Sequence, residues 1–189
     1  MLATTVSDHL FWITSRAAGT LALLFSSVAV GVGLSISGKL IKGRGADLRA
    51  LHEALSMATI VAIVVHAVAL LGDTFMHPSL ADITIPFVSS YMTVWTTIGI
   101  VGGWMMIILG LSFYARARIG QQRWRKLHRL TALAWVLGLA HSLGEGTDAG
   151  KLWFLVATAI VVIPAAALLV VRMSPTRPAR RPVAPRAVT

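Results

Sequence analysis

The stretch from His52 to His66, HEALSMATIVAIVVH, restricts this chain more than any other. It is an apolar run of membrane-helix character with a histidine at each end, 14 positions apart. Ionisable side chains inside a bilayer are costly enough to mark function by default. A second apolar stretch, residues 127–143, carries His128 and His141. Both belong to a chain that is 56% hydrophobic and only 13% charged, whereas soluble domains carry about 25% charged residues. The sequence therefore reads as an all-α integral membrane protein. It has no cysteine, which excludes disulfides, thiolate-held metals, iron–sulfur clusters and thioether-linked haem; any redox centre must rest on histidine or methionine.

Five apolar runs, residues 17–37, 51–71, 94–114, 127–143 and 152–171, predict five membrane-spanning helices. The first holds small residues (Gly19, Ser26, Ser27, Gly31 and Gly33) of the kind that lets membrane helices approach closely. Residues 72–93 are interrupted by Pro78 and Pro86 and read as an interfacial cap rather than a span. Residues 1–15 lack the basic start of a secretory signal, so the N-terminus is expected to be retained. Residues 1–171 form the expected membrane domain, and residues 172–189 a basic, proline-rich tail expected to be disordered.

The formal charge of +10 raises nucleic acid as a partner, but the basic residues lie between and after the apolar runs. Lys39, Lys42, Arg44 and Arg49 fill one connection and Arg116, Arg118, Arg123, Arg125 and Lys126 another, alternating with connections that hold Asp73 and Asp82 or Glu145, Asp148 and Lys151. These are topology signals and contacts for anionic lipid, not a nucleic-acid surface. The positive-inside rule then places the N-terminus outside and the C-terminus in the cytoplasm of a multi-pass plasma-membrane protein.

With that topology the second and fourth spans run in the same direction, and their histidines match in depth. His52 falls level with His128 near the cytoplasmic side, and His66 with His141 near the outer side. Separations of 14 and 13 residues correspond to about 21 and 20 Å of helix, inside a hydrocarbon core about 30 Å thick. Two imidazoles at each of two depths is the ligand set for two stacked haems, each ligated from both faces. Four histidines split into distant pairs do not suit tetrahedral zinc. The phase is imperfect: 14 residues return to within about 40° of the starting direction, but 13 leave His141 about 140° away from His128. Local unwinding of the fourth span is expected, with Gly138 as its place. The alternative for each histidine is a buried polar residue bonded to a neighbouring span.

With these residues the chain resembles the ferric reductase transmembrane domain superfamily, which includes ferric reductases, NADPH oxidases and the haem-bearing membrane partner of periplasmic methionine sulfoxide reductase. The likeness rests on His52 and His66, on Arg125-Lys126-Leu127-His128-Arg129-Leu130 followed by His141, and on Arg16-Ala17-Ala18-Gly19 opening the first span. It covers about residues 12–171. It implies two haem b groups held by His52, His66, His128 and His141, with outward electron flow, and it puts Arg16 near the outer haem, where a guanidinium suits a propionate. Large members carry a flavin and nicotinamide domain and members usually have six spans; this sequence shows no nucleotide-binding motif, and the span it lacks would be the N-terminal one. Electrons are therefore expected from a cytoplasmic donor protein or quinol. Where the oxidases place a further histidine one turn beyond the outer ligand, this chain has Leu70, against superoxide production.

Trp135 lies about midway between His128 and His141, where it could bridge the haems, packing being the commoner role of a tryptophan in a membrane helix. Met105 and Met106 are read as packing, and His9, Asp73, His77 and Asp82 as solvated outer residues with iron binding as the alternative. The leading expectation is a ferric reductase-like dihaem cytochrome that passes electrons to an outer acceptor such as ferric iron or a periplasmic redox protein. The alternatives are a non-catalytic haem-bearing anchor for a separate oxidoreductase, and a haem-free transporter or sensor that uses the histidines as a proton relay.

Overall fold

A computed structural model describes the backbone of residues 2–174 and the side chains of residues 9–174. Among the described residues there is no strand, and eight helices follow in order: α1 (Leu2–Gly38), α2 (Gly45–Leu70), α3 (Leu80–Thr84), α4 (Thr93–Leu111), α5 (Arg116–Ile119), α6 (Gln121–His128), α7 (Thr131–Gly144) and α8 (Leu152–Met173). Among the described residues, four segments are long and apolar enough to cross a membrane: His9–Gly38, Gly45–Leu70, Thr93–Leu111 and Leu152–Met173.

The chain is turned inside out relative to a soluble fold. Its buried positions are mostly small, among them Ala18, Ala22, Ser26, Ser27, Ala29, Thr59, Ala62, Thr97, Ala134 and Ala165, while Val61, Val64, Val68, Ile108, Leu155, Ile160, Ile163 and Val170 face outward. Lipid is as apolar as leucine, so nothing drives large side chains inward. Small residues instead let backbones approach and gain dispersion contact. α1 is the centre of the bundle, packed on α2, α7 and α8, with α4 against α7 and α2. The α1–α2 hairpin turns where Lys39 takes a left-handed φ of 53° and the Leu40 amide reaches back to the Ser35 carbonyl at 3.1 Å, satisfying carbonyls at the end of α1.

Three expectations need correction. The first helix does not begin near residue 17 but runs unbroken from Leu2, because nothing between residues 2 and 16 is glycine or proline. The fourth apolar run is not one helix. It divides into α6 and α7 at Arg129 and Leu130, so the fifth long span is absent as a single element. The adjustment lies there and not at Gly138, which is helical. At the break the Leu130 amide bonds Leu127 and the Ala132 amide bonds Arg129, both three residues back, while the Thr131 hydroxyl takes the His128 carbonyl at 2.7 Å. Such 3₁₀ steps turn about 120° each instead of 100°, so the helix overwinds rather than unwinds and swings His141 towards the His128 direction.

Residues 72–93 are not a span, as expected, yet they reach further than the rim. The Trp104 indole donates to the Thr84 carbonyl at 2.9 Å and the Phe87 amide to the Thr97 hydroxyl at 2.9 Å. Trp104 lies 11 residues into α4, about 16 Å along it. The tail from residue 175 onward lies outside the described residues; Arg172 and Met173 are still helical.

Candidate functional site

The structure brings the four histidines together in two pairs. His52 and His128 have ring centroids 6.0 Å apart with planes at 85°; His66 and His141 are 6.3 Å apart at 70°. Each pair joins α2 to the α6–α7 segment. Because α1 runs antiparallel to α2, and α4 antiparallel to α7, the same two helices frame both pairs at their opposite ends.

Three of the four rings are oriented through Nδ1 by a backbone carbonyl. His52 donates to Ala29 at 2.9 Å, His66 to Ser15 at 2.8 Å and His141 to Trp95 at 3.0 Å. A carbonyl only accepts, so these Nδ1 atoms carry the proton and Nε2 keeps its lone pair. No hydrogen bond engages Nε2 of any of the four among the described residues. His66 is further held by the Ser15 hydroxyl, 3.0 Å from Nδ1 and donating to the His66 carbonyl at 3.1 Å. His141 Nδ1 also lies 3.3 Å from Glu145 Oε2. The Nδ1 of His128 is buried and closes no hydrogen bond; its ring instead lies on Trp124 at 5.0 Å and 25°. Trp124 meets Phe113 edge-on at 5.9 Å, and the Arg116 guanidinium covers Phe113 at 3.8 Å.

Glycines make room for three of the rings. A Cβ on Gly33 would come 3.1 Å from His52, one on Gly19 3.0 Å from His66, and one on Gly99 2.6 Å from His141. Gly19 and Gly33 are 14 residues apart on α1, the spacing of His66 and His52 on the antiparallel α2. That equality was readable in the sequence. Gly99 was not, since nothing in the sequence says that α4 faces His141. Ser15 was placed ahead of the first span and is 2% exposed inside it. Glu145 is the i+4 neighbour of His141 on a helix, a signal available from spacing alone.

Arg16 and Trp135, also expected at the site, are engaged elsewhere. Arg16 makes a two-pronged ion pair through Nε and Nη2 with the buried carboxylate of Asp148, and its guanidinium lies over Trp12 at 4.7 Å. That tie joins α1 to the loop before α8, one residue from the Ser15 that holds His66. Trp135 is 2% exposed and its indole donates to the Ser27 hydroxyl on α1 at 2.9 Å. Asp82 is spent on a capping box with Ser79, which holds its carboxyl below the usual carboxylate range. Asp73 is buried, its Oδ1 taking the Phe75 and Met76 amides.

Among the described residues no three or more histidine, cysteine, aspartate or glutamate side chains gather around one point. Each pair therefore offers two imidazoles and no third protein ligand, a donor set suited to a metal whose remaining positions are filled by a macrocycle rather than by protein. The charges segregate along the same axis. The connections rich in lysine and arginine adjoin His52 and His128, and the acidic ones adjoin His66 and His141.

No curated protein and no solved structure matches the chain. A family model, that of the ferric reductase like transmembrane component, matches residues 16–139. It takes in His52, His66 and His128 and ends two residues before His141, which the structure joins to His66. The match covers well over half of a chain whose long apolar helices mark a multi-pass membrane protein, and the chain belongs to the ferric reductase-like transmembrane component family.

Proposed function

We propose that the protein is a dihaem b-type membrane cytochrome that carries electrons across the membrane to an outer acceptor, ferric iron or a periplasmic redox protein. His52 and His128 hold one haem and His66 and His141 the other. In this reading the chain crosses the membrane five times, the α6–α7 segment being one crossing, with the N-terminus outside and the basic connections in the cytoplasm. A cytoplasmic electron donor protein or quinol supplies the electrons.

The observation that carries this reading is the spacing within the two pairs. Metal–imidazole bonds are about 2 Å long and an imidazole centroid lies about 1 Å from its nitrogen, so two imidazoles on one metal have centroids about 6 Å apart. Both pairs have that separation. The tautomers agree with it, since an Nδ1–H bonded to a carbonyl leaves Nε2 as the metal ligand. The glycines opposite His52, His66 and His141 let α1 and α4 approach these rings closely enough to hold them. The bound group supplies an iron that changes between ferric and ferrous states at constant ligation. The chain supplies ligands at two depths, a dry apolar surround and oriented Nδ1 partners.

The protein purified from membranes of a haem-replete host should show the absorption of six-coordinate bis-imidazole haem b, with about two haems per chain by pyridine haemochrome assay. A protein that is folded and free of haem would refute the reading and favour the proton-relay alternative.

A further inference from the structure

We propose that Glu145 is a positioning residue that gives the His66–His141 centre the more negative potential of the two; this rests on the dihaem reading above. His141 Nδ1 lies between the Trp95 carbonyl at 3.0 Å and Glu145 Oε2 at 3.3 Å. The carboxylate lies beside the Thr96 hydroxyl, which stands 3.1 and 3.2 Å from its two oxygens and whose single proton it shares with the Tyr91 carbonyl at 2.7 Å, and the Glu145 side chain is 15% exposed. The arginine at this end does not neutralise it, because Arg16 is paired with Asp148. No other histidine of the four has a carboxylate at hydrogen-bonding distance: His52 and His66 meet neutral carbonyls, with a hydroxyl added at His66, and His128, whose Nδ1 closes no hydrogen bond, has the neutral Leu109 backbone beside it.

A carboxylate beside the Nδ1–H that the Trp95 carbonyl accepts polarises that bond further and makes Nε2 a stronger electron donor. A stronger donor and a nearby negative charge both favour the ferric state, which carries one more positive charge than the ferrous. Midpoint potential therefore falls at the His66–His141 centre and not at the other, about 20 Å away along α2. In the proposed orientation the more reducing centre faces the acceptor. A negative interior drives an electron outward, and this membrane potential offsets the intrinsic difference between the centres.

The test is a potentiometric titration of the purified full-length protein followed at the haem α band, comparing wild type with Glu145→Gln and Thr96→Val. A His52→Ala variant that retains only the outer centre assigns the two waves. Glu145→Gln should move the outer wave to more positive potential and leave the inner wave in place. Thr96→Val, which removes the hydroxyl beside the carboxylate and lets it swing away from His141 without touching the imidazole, should move the same wave in the same direction by less. If Glu145→Gln loses the outer haem, Thr96→Val decides alone. Two bound haems with an unmoved outer wave, or a shift confined to the inner wave, overturn the role of Glu145 and leave the dihaem reading standing. A wild-type protein without haem overturns both.

Discussion

At the His66–His141 end both imidazoles pass their Nδ1 protons to fixed acceptors, the Ser15 and Trp95 carbonyls, with a hydroxyl and a carboxylate in support. At the His52–His128 end only His52 does so, through Ala29, and His128 is placed by stacking on Trp124. One end is thus oriented by directional hydrogen bonds and clamped by the Arg16–Asp148 pair; the other is oriented largely by aromatic packing beneath a cationic connection. Hydrogen bonds fix both the ring angle and the tautomer, whereas stacking fixes only the plane. Equal spacing along the helices therefore does not make equal sites.

The largest expected effect breaks the comparison outright. His66→Ala or His141→Ala should reduce haem content from about two per chain to about one, with the remaining spectrum intact, because each haem has its own pair of ligands; loss of both haems or of neither would disprove the pairing. Next comes the room for the ring. Gly99→Ala places a methyl 2.6 Å from His141 Nδ1, an overpacking that costs about 1–3 kcal/mol and should empty the His66–His141 site selectively. Gly19→Ala, at 3.0 Å from His66, should do the same more weakly, and haemochrome assays rank the two.

A smaller effect separates clamping from ligation. Arg16→Met leaves the buried Asp148 without its partner; with the arginine side chain 35% exposed, the cost should be about 2 kcal/mol, below that of a fully buried pair. Thermal unfolding of the purified protein should register it while haem content stays at wild-type level. Selective loss of the outer haem in Arg16→Met would instead assign the guanidinium to a propionate. Smallest is Trp124→Leu, which removes the ring under His128 and should cost about 1 kcal/mol of stacking. It should broaden the spectrum of the His52–His128 centre alone, and an unchanged inner spectrum would show that stacking does not orient His128.

Much of this was legible in the sequence, and the limits have physical causes. The pairing of His52 with His128 and of His66 with His141 followed from helix rise and from the alternation of basic and acidic connections, both one-dimensional quantities. Where sequence reasoning missed, it lacked neighbours. Ser15 looked like a residue outside the first span because the continuous apolar run begins only after Arg16, and the sequence could not name the hydrogen-bond partner of Trp135. In the structure its indole turns to Ser27 on α1. The break at Arg129 and Leu130 has neither glycine nor proline; the Thr131 hydroxyl takes the His128 carbonyl there, a local bond that competes with ordinary helix and is not forced by composition.

By itself the sequence determined that the chain is a helical membrane protein and that its histidines stand in two depth-matched pairs, one member of each on α2 and the other on the α6–α7 segment. Period, length and charge are properties of the chain alone. Only the tertiary structure decided which backbone carbonyls receive the Nδ1 protons, which glycines face His52, His66 and His141, and that a carboxylate stands behind His141 while the Nδ1 of His128 closes no hydrogen bond. Those depend on which side of α1 and α4 meets the pair, and in a bundle packed by small residues with lipid all round, no hydrophobic stripe in the sequence announces that side.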